Sequence, residues 1–199
     1  MDTAGVILLL VMCFVLGSIP FGIIVAKSKG VDLKKVGSRN IGATNVLRSL
    51  GKWPALLTLM GDMLKGTIAV AAGSYFGAGS LLAGLFGFSA ILGHNFSFFL
   101  GFKGGKGVAT SLGVLIVYAP LAALLTIVLW LGVAVSTKYS SLAALVSFGL
   151  LPASVFFLNP GDTGKMLTAI LITALIFFRH TDNINHLIKG TERKIGQRE

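Results

Sequence analysis

One cysteine, three histidines and seven acidic residues in 199 positions leave little room for several kinds of chemistry. Cys13 alone makes no intramolecular disulfide and no thiolate metal cluster. His94, His180 and His186 stand in no HExxH arrangement and have no cysteine partner, so no metal site is expected. Charged residues make up only 12% of the chain while 54% is hydrophobic, with a mean hydropathy of +0.86. A soluble domain of this length lacks the polar surface to cover so much apolar side chain. The surrounding solvent is therefore lipid, and one membrane domain over residues 1–199 is the simplest organisation. The scarce acids stand against 17 Lys and Arg, for a net charge of +10. In a soluble protein that excess would point to nucleic acid. Here it borders apolar spans and no nucleic-acid module is recognisable, so no nucleic acid is expected as a partner.

The apolar runs cover residues 3–26, 53–76, 81–100, 108–136, 140–158 and 165–178. As one helix the run 108–136 would measure roughly 44 Å, against a hydrocarbon core of about 30 Å. Pro120 removes a helix hydrogen bond and clashes with the preceding turn, so the run is expected to break there into 108–119 and 121–136. That break gives an all-α, polytopic membrane protein: a seven-helix transmembrane bundle with its N-terminus outside and its C-terminus cytoplasmic. The charge pattern favours it. Seven spans put every Lys and Arg except Lys65 and Lys165 on the inner side, including Lys138 and the tail residues Arg179, Lys189, Arg193, Lys194 and Arg198. Six spans would put the tail outside. Asp2 ahead of the first run, with Lys27 and Lys29 after it, marks an uncleaved helix rather than a signal peptide. Asp62 and Lys65, three apart inside the second run, are expected to pair and face the interior.

What polarity the chain has is gathered into three segments, all at inner helix ends: GSRNIGATNVLRSLG at 37–51, GFKGGKGVAT at 101–110 and RHTDNINHLIKGTERK at 179–194. The first offers Ser38, Asn40, Thr44, Asn45 and Arg48. On a helix over 42–50, Thr44 and Arg48 share a face, and Arg48 clamps an oxyanion bidentately. The second, Lys103-Gly104-Gly105-Lys106-Gly107, opens a short apolar helix. Its glycines bring backbone N–H groups close to an oxyanion, and its lysines add charge. It is not a Walker A loop: Leu100 and Gly107 stand where glycine and a hydroxyl residue are needed, so ATP hydrolysis is not implied. The third places His180 and Asn183 three apart, with histidine a candidate proton carrier. Such chemistry holds a phosphate-bearing ligand at a bilayer surface. A transporter of such metabolites would need polar residues continuing to the outer face, and the predicted outer loops are short and nearly uncharged.

Taken with GSIPFG at 17–22 and GHNFSFF at 93–99, these segments resemble the bacterial acyl-phosphate-dependent glycerol-3-phosphate acyltransferases over nearly the whole chain. The resemblance implies an enzyme of the bacterial cytoplasmic membrane, with its active site facing the cytoplasm. It implies transfer of a fatty acyl group from acyl phosphate to the sn-1 hydroxyl of glycerol 3-phosphate, giving lysophosphatidic acid and phosphate, without cofactor or metal. The implied partners are those two substrates, membrane lipid, the acyl-phosphate-producing enzyme and the next acyltransferase of the pathway. Ser38 and Arg48 match the family's essential first-motif residues, and Gly104, Gly105 and Gly107 its phosphate loop. His180 and Asn183 match its third-motif residues, and Glu192 a position tied to structural integrity. Arg39 departs from the usual glycine. The HxxxxD pattern of other glycerolipid acyltransferases is absent: Phe99, Asn185 and Thr191 stand five residues after the three histidines. Direct attack by the glycerol hydroxyl is expected, with His180 or a substrate phosphate oxygen as base.

Overall fold

A long apolar helix with polar interruptions must find a partner for each backbone group an interruption releases, and in lipid that partner is protein. The computed structural model describes residues 1–197; Arg198, counted above with the basic tail, lies outside the described residues. All regular structure among them is helical. The order is α1 (Thr3–Ser18), α2 (Phe21–Lys27), α3 (Ala43–Leu50), α4 (Lys52–Tyr75), α5 (Ser80–Asn95), α6 (Val108–Tyr118), α7 (Pro120–Thr137), α8 (Ser140–Gly149), α9 (Leu151–Leu158), α10 (Thr163–Arg179) and α11 (Thr181–Ile188).

Five stretches are long and apolar enough to cross a membrane: 3–27, 52–75, 80–100, 120–137 and 140–158. The pair α10 and α11, bent by 59°, passes the same test only when taken together, and α6 is a shorter apolar helix. The break at Pro120 occurs: α6 ends at Tyr118, Ala119 leaves helical geometry at φ −147, and Pro120 starts α7. The run 3–26, read from sequence as one span, is interrupted as well. Ile19 turns extended (φ −60, ψ 117) ahead of Pro20, which separates α1 from α2. Proline disfavours helix for the residue before it, which accounts for the break.

Glycine sets the spacing of the bundle where α4 crosses α6. A Cβ at Gly66 would lie 2.2 Å from the Thr110 carbonyl oxygen, and one at Gly113 1.9 Å from that of Met63. Without an aqueous driving force, close backbone approach of this kind is what packs helices in lipid. Around the contact, Val70, Ile91, Val114, Leu115, Phe148 and Ile172 form the main core. The opposite faces are bare: Leu124, Val128, Leu131 and Val135 of α7 are exposed at helical spacing, as a lipid-facing stripe requires.

Gly113→Ala should lower stability by about 1–3 kcal/mol, the usual cost of overpacking. Gly132→Ala, where nothing lies within 4 Å, should leave it unchanged or slightly raised. Thermal melts of the two purified variants check this, and equal midpoints would contradict the backbone contact.

Candidate functional site

The three polar segments meet at one cleft of about 1440 Å³. Ser38, Asn40, Thr44, Asn45 and Arg48 line it from the first segment, Gly104, Lys106 and Gly107 from the second, and His180 and Asn183 from the third. Lys103 and Gly105, also expected as ligands, are not on its wall: Lys103 is solvent-exposed and Gly105 lies behind the loop. Six Lys or Arg side chains (Arg39, Arg48, Lys52, Lys106, Arg179, Arg193) face three acids (Asp62, Asp182, Glu192) across the lining, so its potential suits an anion. Below that polar end the wall turns apolar, with Leu56, Leu59 and Met63 of α4, Leu112 of α6, and Ile127, Trp130 and Leu131 of α7. Leu56 and Leu131 also face the exterior, so the apolar part opens towards lipid.

The first segment is organised by Asn45, whose side chain is fully buried on α3. Its Oδ1 accepts the Ser38 N–H at 2.8 Å, and its Nδ2 donates to the carbonyls of Asn40 (2.8 Å) and Val36 (3.2 Å). An amide so engaged shapes the loop that presents Ser38. Those bonds hold the wall of the cleft, which Asn45 also lines. Arg39 takes a left-handed φ of 57, a conformation that suits glycine better than arginine. Arg48 reaches across the cleft mouth. Its guanidinium donates to the carbonyls of Arg193 at 3.0 Å and Lys194 at 3.3 Å, tying α3 to the carboxy-terminal segment.

The glycine loop folds back onto the end of α5. The Gly104 N–H donates to the Asn95 carbonyl at 3.1 Å and the Gly105 N–H to that of His94 at 3.0 Å. These two N–H groups are therefore spent on the fold, which corrects the expectation that they serve an oxyanion. The carbonyls turn the other way and take the Arg179 guanidinium at 3.0 to 3.3 Å. Arg179, counted from sequence among the basic residues of the tail, is thus the strut of the loop; its guanidinium also lies over the Phe96 ring. What remains for a ligand is the start of α6. The first bond within that helix runs from the Ser111 N–H to the Gly107 carbonyl, so the N–H groups of residues 108–110 precede any intrahelical acceptor. The positive end of this eleven-residue helix at the cleft suits an anion.

A polar chain joins the second segment to the third. The Lys106 ammonium donates to Asn183 Oδ1. Asn183 Nδ2 donates to Glu192 Oε1 at 2.8 Å, and the Ser141 hydroxyl donates to the same oxygen at 2.6 Å. Burial pushes the Lys106 pKa below the usual lysine range, while Glu192 and Asp182 pull it back. His180 sits just past α10, and its Nδ1 lies 2.8 Å from the Ile176 carbonyl. A carbonyl only accepts, so Nδ1 carries the proton and the neutral ring leaves Nε2 as an acceptor. Burial, and then the Lys106 charge, lower its pKa to about 4.

A model of the family described as glycerol-3-phosphate acyltransferase matches residues 7–190. A protein of that name from Mesorhizobium japonicum is 46% identical over 98% of both chains, and one from Thermus thermophilus is 45% identical over 95% of this chain and 94% of its own. Among solved structures, the crystal structure of PlsY, an integral membrane glycerol 3-phosphate acyltransferase, in its glycerol 3-phosphate form superimposes with a TM-score of 0.90. That chain is 42% identical and the match covers 96% of each. A form of it with lysophosphatidic acid gives a TM-score of 0.88 at 41% identity, over 96% of this chain and 95% of that one.

Asn45→Ala should take from the Ser38 amide and the Asn40 carbonyl the partner that Asn45 supplies, at about 1–3 kcal/mol. Hydrogen exchange of residues 36–40 should then quicken by roughly 5- to 150-fold. Unchanged exchange in this loop would show that the amide does not hold it.

Proposed function

The chain belongs to the glycerol-3-phosphate acyltransferase family, and from that membership we propose that it takes its acyl group from acyl phosphate and delivers it to the sn-1 hydroxyl of glycerol 3-phosphate. The products are lysophosphatidic acid and inorganic phosphate. The observation that carries the reading is the division of the cleft into a cationic end and an apolar wall open to lipid. Both substrates bring a phosphate and one brings an acyl chain, and the two halves suit those two demands.

In this reaction the glycerol oxygen forms a bond to the acyl carbonyl carbon, and the bond from that carbon to the phosphate oxygen breaks. The phosphate leaves with the electron pair, and the hydroxyl proton passes to a phosphate oxygen. His180, with its proton on Nδ1, leaves Nε2 to accept a hydrogen bond from that hydroxyl and orient it. Arg48, Lys106 and the start of α6 hold phosphate charge, Ser38 and Asn40 hydrogen-bond the substrates from the rim, and Thr44 shares the helix face of Arg48. Asn183 keeps Lys106 in place. The donor is already activated, so positioning and charge stabilisation supply the catalysis without an acyl-enzyme. The basic residues around the cleft support a seven-span topology in the bacterial cytoplasmic membrane with this end in the cytoplasm, where glycerol 3-phosphate and the enzyme making acyl phosphate would meet it and the next acyltransferase would draw off the product.

Purified protein given glycerol 3-phosphate and palmitoyl phosphate should form lysophosphatidic acid and phosphate in equal amounts. Palmitoyl-CoA in place of palmitoyl phosphate should give none. Product from the thioester at a comparable rate would overturn the choice of donor.

A further inference from the structure

A second pocket, of about 420 Å³, lies apart from the cleft. It is lined by Ile23 and Lys27 of α2, by residues 30–34 and by Leu100. Two of the five candidate spans end at its wall, 3–27 at Lys27 and 80–100 at Leu100. The chain runs on from Leu100 to Gly104 on the cleft wall, so pocket and cleft share one end of the bundle. The pocket therefore sits where hydrocarbon gives way to headgroups.

Its charge is unbalanced. Asp32 is the one acid of its lining, and that carboxylate is engaged: Oδ1 accepts the Lys34 N–H at 3.0 Å and Oδ2 pairs with Lys35 at 3.8 Å. The ammonium groups of Lys27 and Lys34, both exposed, make no ion pair or hydrogen bond among the described residues. Between them Ile23 and Leu33 form an apolar floor. The neighbouring surface extends that apolar part. Phe98, Phe99 and Phe102, on either side of Leu100, are each more than half exposed, and their rings meet edge to face. Such a patch is costly in water and suits a bilayer interface.

We propose that this pocket binds an anionic phospholipid, with the phosphodiester oxygens on Lys27 and Lys34 and an acyl chain along Leu100 and the three phenylalanines. Free phosphate would meet the same lysines and use none of the apolar surface. A zwitterionic lipid brings an ammonium of its own, which the two lysines repel. The occupant also bears on the cleft. Ile23 and Leu33 share a cluster with Ile41 and Val46 behind the first polar segment, and Leu100 packs against that cluster. A lipid seated there braces the loop 98–104, which leads into the glycine segment.

Native mass spectrometry of the detergent-solubilised protein tests this, with dioleoyl phosphatidylglycerol, dioleoyl phosphatidylcholine and inorganic phosphate as probes. Each lysine near an anionic headgroup is worth roughly fivefold in binding. The unsubstituted protein should hold one phosphatidylglycerol roughly 10- to 30-fold more tightly than phosphatidylcholine. Lys27→Gln with Lys34→Gln should cut that preference to about threefold or less at an unchanged melting temperature. Lys29→Gln with Lys189→Gln, two exposed lysines outside both pockets, should keep it. A preference retained by the Lys27, Lys34 variant would place the lipid elsewhere, and equal losses in the two double variants would reduce the effect to diffuse surface charge. Competition by millimolar inorganic phosphate would assign the lysines to the free anion. Any of the three overturns the proposal. Hydrogen exchange over residues 98–104 of the unsubstituted protein gives a readout independent of variant folding. It should slow when phosphatidylglycerol is added and not when phosphatidylcholine is, and exchange that ignores both lipids overturns the proposal too. These readouts are of binding, so a failure of the acyltransfer reading would leave them intact.

Discussion

The structure turns on one ammonium inside the bundle. Lys65 cannot remain in lipid without partners, and three different segments supply them. Asp62 comes from its own helix, Ile19 from the break made by Pro20, and His94 from the end of α5. Breaking one partner of such a buried pair costs far more than the pair contributes, so these segments keep one arrangement. The Ser97 hydroxyl, donating to the Ser18 carbonyl at 2.6 Å, closes the same junction from the other side. The proline break is thereby both satisfied and used, and the end of α5 becomes the base on which the glycine loop rests.

From that base the cleft follows by successive hydrogen bonds. The α5 carbonyls fix Gly104 and Gly105, Arg179 braces them from α10, and the chain then releases Lys106 and the positive end of α6 into the cleft. Lys106, Asn183, Glu192 and Ser141 carry the connection on to α8 and the carboxy-terminal segment, whose carbonyls meet Arg48. A rigid cationic end is thus set above an apolar wall that faces lipid. Such an arrangement admits a phosphate head and an acyl tail from two different solvents.

The helices were legible in the sequence because lipid demands long apolar runs, and the interruption at Pro120 because proline cannot continue a helix. The three polar segments were legible because glycine, arginine and asparagine stand out against hydrocarbon. The partners of those segments were not. Arg48 and Arg179 bond main-chain carbonyls, which carry no residue signature, and the carbonyls that meet Arg48 lie about 145 positions away. The N–H groups of Gly104 and Gly105 looked free for a ligand because their acceptors, also main-chain, leave no trace in composition. The bonds by which Asn45 braces its loop were hidden in the same way, since all of its partners are main-chain groups. The pair Asp62 and Lys65 was visible by its spacing, but its link to His94 needed the fold.

The central claim is that segments far apart in sequence grip one phosphate. A double-mutant cycle with Arg48→Lys and Asn183→Ala, read in kcat/KM for glycerol 3-phosphate, tests it most directly. If both act on one bound substrate through Lys106 and the cleft mouth, their effects should fail to add by at least about 1 kcal/mol. Effects that add to within about 0.5 kcal/mol would mean that the two segments serve separate sites, and would contradict the account.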